Sequence, residues 1–571
     1  MTSLARKLIL REIKNVKLQR NASISAAVGR NDDFLIKSTL PDFGVPNTRF
    51  IDRMWRHLDS YKNHVALESA ETNKTYTYLQ LQRNTAAFAT SLLKKLGLKP
   101  GDVVATMLPN CPEFPVVAFG TLQAGCVLTT INPIYKEFEI DHQVTITEPK
   151  VIITIPECYE TVLKGIKKSK QNIKIVVIDN PNNAVPNNVI RYSEIAESGE
   201  VDYSVLDKIE KKPDDVACIP FSSGTTGLPK GVEISYLNLM SAIECMQYEE
   251  TCFPILTQGN HQDILPTFLP FFHIYGMVVT LLGHLSLGCK LVTMSKFSAS
   301  LYMDILRTQA INLLYIVPPV AILLGKHPDI KAEHFRNVRH IICGAAPLAA
   351  SDVHAILDKS KKDIEFNQGF GATETTSLAT STFKRTKNVD YSACGVPMAG
   401  VTLKFTDPIT GEPVPIGQPG EMCVKAPVVM KGYHKNPRAT ADTLTDDGFF
   451  KTGDLGYFNP KSGVFITDRI KELIKVKGMQ VAPAELESIL RSHPAVQDAA
   501  VIGVPHEFYG EAPKAFIIRK NGQNTTEEEL QDFVANQVAV YKKIEEVVFV
   551  KDIPKTASGK ILRKDLKKMY A

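Results

Sequence analysis

The sequence predicts an α/β protein, with a large N-terminal domain of two related α/β layers plus a distorted β-barrel, and a small C-terminal α+β domain. Three observations carry that expectation. Strand-like apolar runs alternate with helical stretches over about 33–195 and again over 216–364. Strands separated by helices imply a mostly parallel sheet with helices on its faces. After Gly395 the texture changes: turns such as Asp407-Pro408, Thr410-Gly411 and Gln418-Pro419-Gly420 divide the chain into short strands. Residues 472–571 then return to helix and strand.

In chain order, Val103–Met107 reads as a buried strand, 113–124 as a helix and 126–130 as a second strand. Val151–Thr154 and 173–178 repeat the theme, and Val216–Ile219 opens the second alternation. Residues 421–425 give one of the short strands of the β-rich region. Pro483 starts a helix carrying Leu486, Ile489 and Leu490 that stops before Pro494, and 499–504 is a strand. Thr525 with Glu528 predicts a capping box for a helix bearing Leu530, Phe533, Val534 and Val538. There are no internal repeats and no low-complexity linker.

Bulk properties exclude several classes. A net charge of +5 on 571 residues gives no concentrated basic stripe, so nucleic acid is not an expected partner. No apolar run is long enough for a transmembrane segment, though peripheral contact with a membrane surface stays open. The ten cysteines are scattered singly, the closest pair being Cys245 and Cys252; free buried thiols are expected rather than a zinc site or a disulfide framework. Residues 1–32 form a basic leader, with Arg6, Lys7, Arg11, Lys14, Lys17, Arg20 and Arg30 against Glu12. Its composition suits a mitochondrial transit peptide, the alternative being a disordered extension in a cytoplasmic protein. The ending Met569-Tyr570-Ala571 is not the S-K-L peroxisomal address.

The strongest local signal is Phe221-Ser-Ser-Gly-Thr-Thr-Gly-Leu-Pro-Lys-Gly231. Gly224 and Gly227 let the backbone approach an oxyanion, while Ser222, Ser223, Thr225 and Thr226 add hydroxyl donors. Lys230 adds a point charge for a polyphosphate. The segment is no Walker A loop, because Lys230 is followed by Gly231 rather than Ser or Thr. It resembles the signature loop of the adenylate-forming superfamily, which holds acyl-CoA synthetases, plant 4-coumarate–CoA ligases, beetle luciferases and peptide-synthetase adenylation domains. The resemblance runs from about Leu40 to Arg563. It is closest to the coumarate ligase and luciferase branch, on Gly125-Cys-Val-Leu-Thr-Thr-Ile-Asn-Pro-Ile-Tyr135 and Leu269-Pro-Phe-Phe-His-Ile-Tyr275.

That resemblance implies an acid–CoA ligase using ATP, Mg²⁺ and coenzyme A: a carboxylic acid is joined to AMP, pyrophosphate leaves, and the acyl group passes to CoA. Within Asn367-Gln-Gly-Phe-Gly-Ala-Thr-Glu374 it implies nucleotide contacts from Gln368, Gly369, Phe370 and Thr373, and a magnesium ligand in Glu374. Phe370 departs from the Tyr usual in relatives, so stacking survives there but a ring hydrogen bond does not. Asp454 would grip the ribose, Arg469 the ribose or phosphate, and Lys471 would sit in a hinge at 468–471 between domains 33–467 and 472–571. Lys560, in Pro554-Lys-Thr-Ala-Ser-Gly-Lys560, resembles the lysine that stabilises charge at the α-phosphate, and Thr226 is a further catalytic candidate. After rotation of a mobile C-terminal domain, Lys475 and Gly478 would form the CoA face. His273, Tyr275, Gly344, Ala345 and Gly371 would bound the acyl pocket, Ala345 resembling the plant enzymes' alanine rather than the luciferases' glycine.

For the acid, medium- or long-chain fatty acids come first and aromatic acids second. A luciferase-like oxygenase shares every motif. A carrier-loading enzyme is disfavoured by a chain that stops soon after Lys560. A non-catalytic AMP-binding protein would show decay at Lys560, Glu374 or Asp454, and all three are intact.

Overall fold

The computed structural model describes residues 34–44, 48–179, 185–186, 189–222, 229–346, 348–476, 479–506, 508–538, 540–556 and 559–570. The basic leader, Ser223 to Gly227 of the glycine-rich loop, and Gly478 lie outside the described residues.

Two layers of sheet with helices on their faces form the body of the large domain. The first orders its strands Phe221–Ser222, Lys230–Ser235, Val216–Ile219, Val127–Thr130, Val103–Met107, Val151–Thr154, Lys174–Val177 and Ile190–Arg191. From Val216–Ile219 outward the pairing is parallel. Every residue of Val127–Thr130 and Val151–Thr154 is buried, as a parallel sheet covered on both faces requires. Thr77 opens the helix Tyr78–Lys94 by a capping box with Gln80. That helix packs so closely on Glu113–Gln123 that a Cβ on Gly120 would lie 2.8 Å from the Phe88 ring.

The second layer joins two sheets. One orders Ile264–Thr267, Lys290–Thr293, Val65–Ser69 and Thr75–Thr77; the other orders Leu313–Ile316, His340–Cys343, Glu365–Ala372, Ser377–Ser381 and Val396–Pro397. They meet where Ile264 N–H donates to Asn312 Oδ1 at 3.0 Å and Asn312 N–H donates to Ile264 O at 2.9 Å. The two layers are therefore not successive halves of the chain. Val65–Ser69 crosses into the second layer, and Val216–Ile219 joins the first. Apolar alternation identifies strands, but it does not say which sheet each one joins.

The β-rich region is an antiparallel sheet of Ile36–Lys37, Thr402–Thr406, Gly420–Lys425, Phe450–Asn459 and Gly463–Arg469. The chain leaves it at Arg469 and enters the small domain's sheet at Ile474–Val476. There Val496–His506 pairs with Gly510–Arg519, flanked by helices Pro483–Ser492, Glu527–Ala535 and Arg563–Tyr570. The expected cap is one residue out. Thr526 is the N-cap, accepting from Glu529 N–H at 3.1 Å, whereas Thr525 Oγ1 donates to the Glu529 carboxylate at 2.7 Å. The helix ends at Ala535, before Val538. All ten cysteines are free, and among the described residues no helix is long and apolar enough to cross a membrane.

Candidate active site

A cavity of about 690 Å³ lies where the two domains meet. Ser222, Lys230, Gly369, Gly371, Thr373 and Glu374 wall it from the large domain, and Thr556 and Lys560 reach it from the small one. Ser222 and Lys230 are register partners across an antiparallel pair, so they are the stems of the hairpin that carries the glycine-rich loop. The Ser222 hydroxyl is buried and finds no partner among the described residues. The strand Glu365–Ala372 pairs with His340–Cys343 up to Gln368 and with Ser377–Ser381 from Gly369, its register shifting at a bulge between Phe370 and Gly371. Glycine is required just there, because a Cβ on Gly371 would stand 1.4 Å from the Ser377 carbonyl oxygen. The tight turn Thr373–Thr375 follows and presents Thr373 and Glu374, both buried.

Tyr433 joins the two sides of this wall. Its hydroxyl donates to Glu374 Oε1 at 2.9 Å, and Lys230 Nζ sits 4.7 Å from its ring centroid. Burial and then the Glu374 carboxylate push the phenol well above its ordinary range, so it stays a donor. Among the described residues no three His, Cys, Asp or Glu side chains converge as a metal cage. A cation at Glu374 would take its other ligands from phosphate oxygens and water, which is the coordination magnesium favours; the residues present fit that ion.

Opposite lies the charged cluster. Asp454, almost fully buried, pairs with Arg469 Nε at 3.0 Å across the hairpin register that sets them opposite each other. Burial raises the Asp454 carboxyl above its usual range, while Arg469 and Lys560 pull it back. The Lys560 ammonium is pushed down to about 8, by burial first and then by Arg469. Two contacts place it. Gly559 takes a left-handed φ of 82° against the start of the helix Pro318–Lys326, where a Cβ would come within 2.7 Å of Pro319. Arg563 pairs with Glu472 at 2.8 Å and with Glu487, tying the chain end to the turn after Arg469.

The other end of the cavity is aromatic and apolar. Tyr275 and Tyr315 line it with Phe253, Ile342 and Leu378. A Cβ on Gly344 would lie 3.5 Å from the Tyr275 ring, so the ring packs next to this glycine. Ala345 beside it holds φ of 74°, a strained backbone of the kind found at ligand clamps. His273 is neutral: burial lowers it to about 4, and its Nδ1 accepts from Tyr275 N–H at 3.3 Å.

Residues 54–434 match the family model of the AMP-binding enzymes, and residues 485–560 match that family's C-terminal domain. The chain belongs to the AMP-binding enzyme family. Within the adenylate-forming superfamily it lies in the 4-coumarate–CoA ligase-like branch. It is 34% identical to 4-coumarate–CoA ligase 1 of Solanum tuberosum over 95% of this chain and 98% of that one. It is 36% identical to 4-coumarate–CoA ligase 1 of Narcissus pseudonarcissus over 94% and 96%. ATP-bound MatB from Rhodopseudomonas palustris superposes with a TM-score of 0.78 at 28% identity, over 91% of this chain and 98% of that one. This AMP-binding enzyme is an ATP-dependent, AMP-forming acid–CoA ligase that uses ATP, Mg²⁺ and coenzyme A.

The AMP-binding enzyme's cavity gathers Ser222, Lys230, Gly369, Thr373, Glu374, Arg469, Lys471 and Lys560 at one end and His273, Tyr275, Gly344, Ala345 and Gly371 around the other. It does not gather every residue the sequence suggested: Asp454 is buried against Arg469 and does not itself line the cavity. Gln368 is buried and donates from Nε2 to the Tyr391 carbonyl, and Phe370 packs against the barrel's apolar cluster; neither lines the cavity. Lys475 is exposed on Ile474–Val476, its backbone N–H donating to Glu511 at 2.8 Å, away from the cavity wall. Sequence reasoning passed over Tyr433, Tyr315, Arg563 and His284. Tyr433 carried no signal beyond an unexplained Gly-Tyr pair. His284 carried one: a single imidazole inside an apolar helical run.

Proposed function

We propose that the acid this ligase activates is aromatic, with the carboxylate directed at Lys560 and the ring against the wall of Phe253, Tyr275 and Tyr315. The observation that carries this is the near full-length similarity to 4-coumarate–CoA ligases at 34–36% identity. The aromatic wall of Phe253, Tyr275 and Tyr315 suits a planar substrate. Sequence alone ranked fatty acids first. A cavity that must also take ATP leaves little length for a long alkyl chain, and the order is reversed. The test is pyrophosphate release from a panel of aryl and alkyl acids, with and without CoA. Aryl acids should exceed decanoate and palmitate by at least about tenfold in kcat/KM, the discrimination a shaped pocket supplies; better alkyl substrates would end the reading.

A carboxylate is a poor electrophile, and adenylation converts one of its oxygens into part of a good leaving group. The chain's task in that step is positioning and charge stabilisation. Asp454, paired with Arg469 just behind the cavity wall, would accept from the ribose hydroxyls. Lys230 and the hydroxyls of the glycine-rich loop cradle the phosphates. Magnesium held on Glu374 would supply neutralising charge as pyrophosphate departs. Lys560 places its ammonium where the α-phosphate gains negative charge.

Lys560 must be protonated to act. Its ammonium, pushed down to about 8, is present below that pH and lost above it. In the free enzyme, kcat/KM for ATP in pyrophosphate exchange is therefore expected to fall about tenfold per unit above pH 8. Lys560→Arg, whose guanidinium stays charged, should remove that limb. A wild-type profile flat to pH 10 would contradict the assignment.

The structure holds Lys560 in the cleft and Lys475 outside it, an arrangement suited to the first half-reaction. Rotation about 468–471 would exchange the two lysines for thioester formation. Lys475→Ala is expected to leave acyl-AMP formation within about twofold of wild type, as a surface change should. It should slow transfer to CoA about tenfold, the loss of one charged contact, in single-turnover assays from a supplied acyl-AMP. Unchanged transfer would remove Lys475 from the CoA face.

A further inference from the structure

His284 lies in Gly283–Leu285, directly after the helical segment Tyr275–Leu282, and contributes to the wall of the acyl end. It is nine residues beyond Tyr275, so the two line the cavity at points no more than about 13 Å apart along the segment. The residues between them are buried, and apolar except for Thr280, whose hydroxyl is satisfied by the Gly276 carbonyl at 2.6 Å. A histidine in such a run calls for a reason.

Packing explains only half of the ring. Nδ1 lies 2.8 Å from the Val279 carbonyl oxygen. A carbonyl only accepts, so Nδ1 carries the proton and Nε2 presents a lone pair. Burial lowers the imidazole to about 4, which keeps it neutral. Tyr315 stands edge-on to the ring at 4.6 Å between centroids, without a bond to the second nitrogen. Nε2 is buried and has no hydrogen-bond partner among the described residues. An unpaired buried acceptor is costly, and of the buried histidine nitrogens without a hydrogen-bond partner among the described residues, His261 Nε2, His340 Nδ1 and His284 Nε2, only the last belongs to a residue lining the cavity. Here the unpaired acceptor belongs to a side chain that walls a substrate cavity.

We propose that His284 Nε2 accepts a hydrogen bond from a hydroxyl at the end of the acid remote from its carboxylate. His284 is then a specificity-determining residue that reads the far terminus of the substrate, while Tyr275 and Gly344 shape the space nearer the reacting carboxylate. This rests on the acyl pocket assigned under the proposed function, but not on the acid being aromatic. A terminal hydroxyl on an alkyl chain would satisfy the same lone pair. An ether oxygen or a bare C–H at that position would leave it unpaired.

The experiment compares matched acids bearing a terminal hydroxyl, its methyl ether or hydrogen, on one aryl and one alkyl skeleton. Pyrophosphate release gives kcat/KM for wild type, His284→Phe, His284→Leu and His284→Gln, with KM for ATP measured alongside. Wild type should prefer the hydroxyl over the other two by about tenfold or more on the skeleton it accepts. His284→Phe, which keeps the ring packed on Tyr315, should bring the ratio to about one with KM for ATP unchanged; His284→Leu does the same test should that variant not fold. His284→Gln, with an amide oxygen to accept, should restore part of the preference. Equal rates on all three acids in wild type would mean that Nε2 holds only a water, and would overturn the inference. So would a variant that slows all three acids alike. Refusal of the aryl skeleton with good turnover of the alkyl one would instead overturn the aromatic reading, and the alkyl set would then judge His284.

Discussion

Replacing Lys560 with alanine is expected to reduce acyl-AMP formation by about 10²–10³-fold, the cost of removing one preorganised charge from a developing oxyanion. Thioester formation from a supplied acyl-AMP should stay within a few-fold of wild type. The expectation follows from where the side chain is held. Gly559 is pressed against Pro319 and Arg563 is tied to Glu472 and Glu487, so the ammonium between them is fixed in the cleft beside Arg469 and Asp454. Burial has already weakened its hold on its proton; an incoming polyphosphate would restore that hold and so gain a partner that pays no reorganisation cost. Alanine removes the charge without disturbing either anchor, because neither uses the Lys560 side chain: Lys560 N–H donates to Thr556 Oγ1 and its carbonyl accepts from Thr556 N–H. Pyrophosphate exchange reads the first half-reaction, and single-turnover transfer from acyl-AMP reads the second. Equal loss in both would mean that Lys560 supports the fold of the cleft rather than one chemical step.

Much of this was legible in the sequence because it rests on local pattern. Val103–Met107, Val151–Thr154 and Val216–Ile219 are strands with the bounds their apolar runs suggest, and the helix from Pro483 stops before Pro494. Proline and burial act within a few residues, so sequence displays them. Partnership at long range is not displayed. Nothing near Leu67–Ser69 says that these residues pair with Leu291–Thr293 rather than with Val103–Met107. Nothing near Tyr433 says that its hydroxyl will meet Glu374, 59 residues away. Motif residues identified the cleft, yet they did not separate side chains that face it from those that brace it: Gln368 and Phe370 sit in the same motif as Thr373 and turn elsewhere. The one-residue error at Thr525 has a similar origin. Both threonines precede a glutamate at the right spacing, and only tertiary contacts decide which begins the helix.

Gly371→Ala should be nearly as damaging as loss of Lys560, by a different route. Its Cβ would lie 1.4 Å from the Ser377 carbonyl oxygen and 2.4 Å from its carbon. Both are backbone atoms of the neighbouring strand, so no rotamer change relieves the clash and the bulge at Phe370/Gly371 must open. The strand leads straight into Thr373 and Glu374, and a shift of about 1 Å in reacting groups costs on the order of 10²-fold. Overpacking of this kind also destabilises by about 1–3 kcal/mol. Pyrophosphate exchange should therefore fall about 10²-fold, with a lower midpoint in urea denaturation. Gly44→Ala is the matched control: a Cβ there meets nothing within 4 Å, and both measurements should stay at wild-type values. Were Gly371→Ala to keep full exchange activity, the close pairing of the Glu365–Ala372 and Ser377–Ser381 strands could not be what aims Thr373 and Glu374 at the nucleotide.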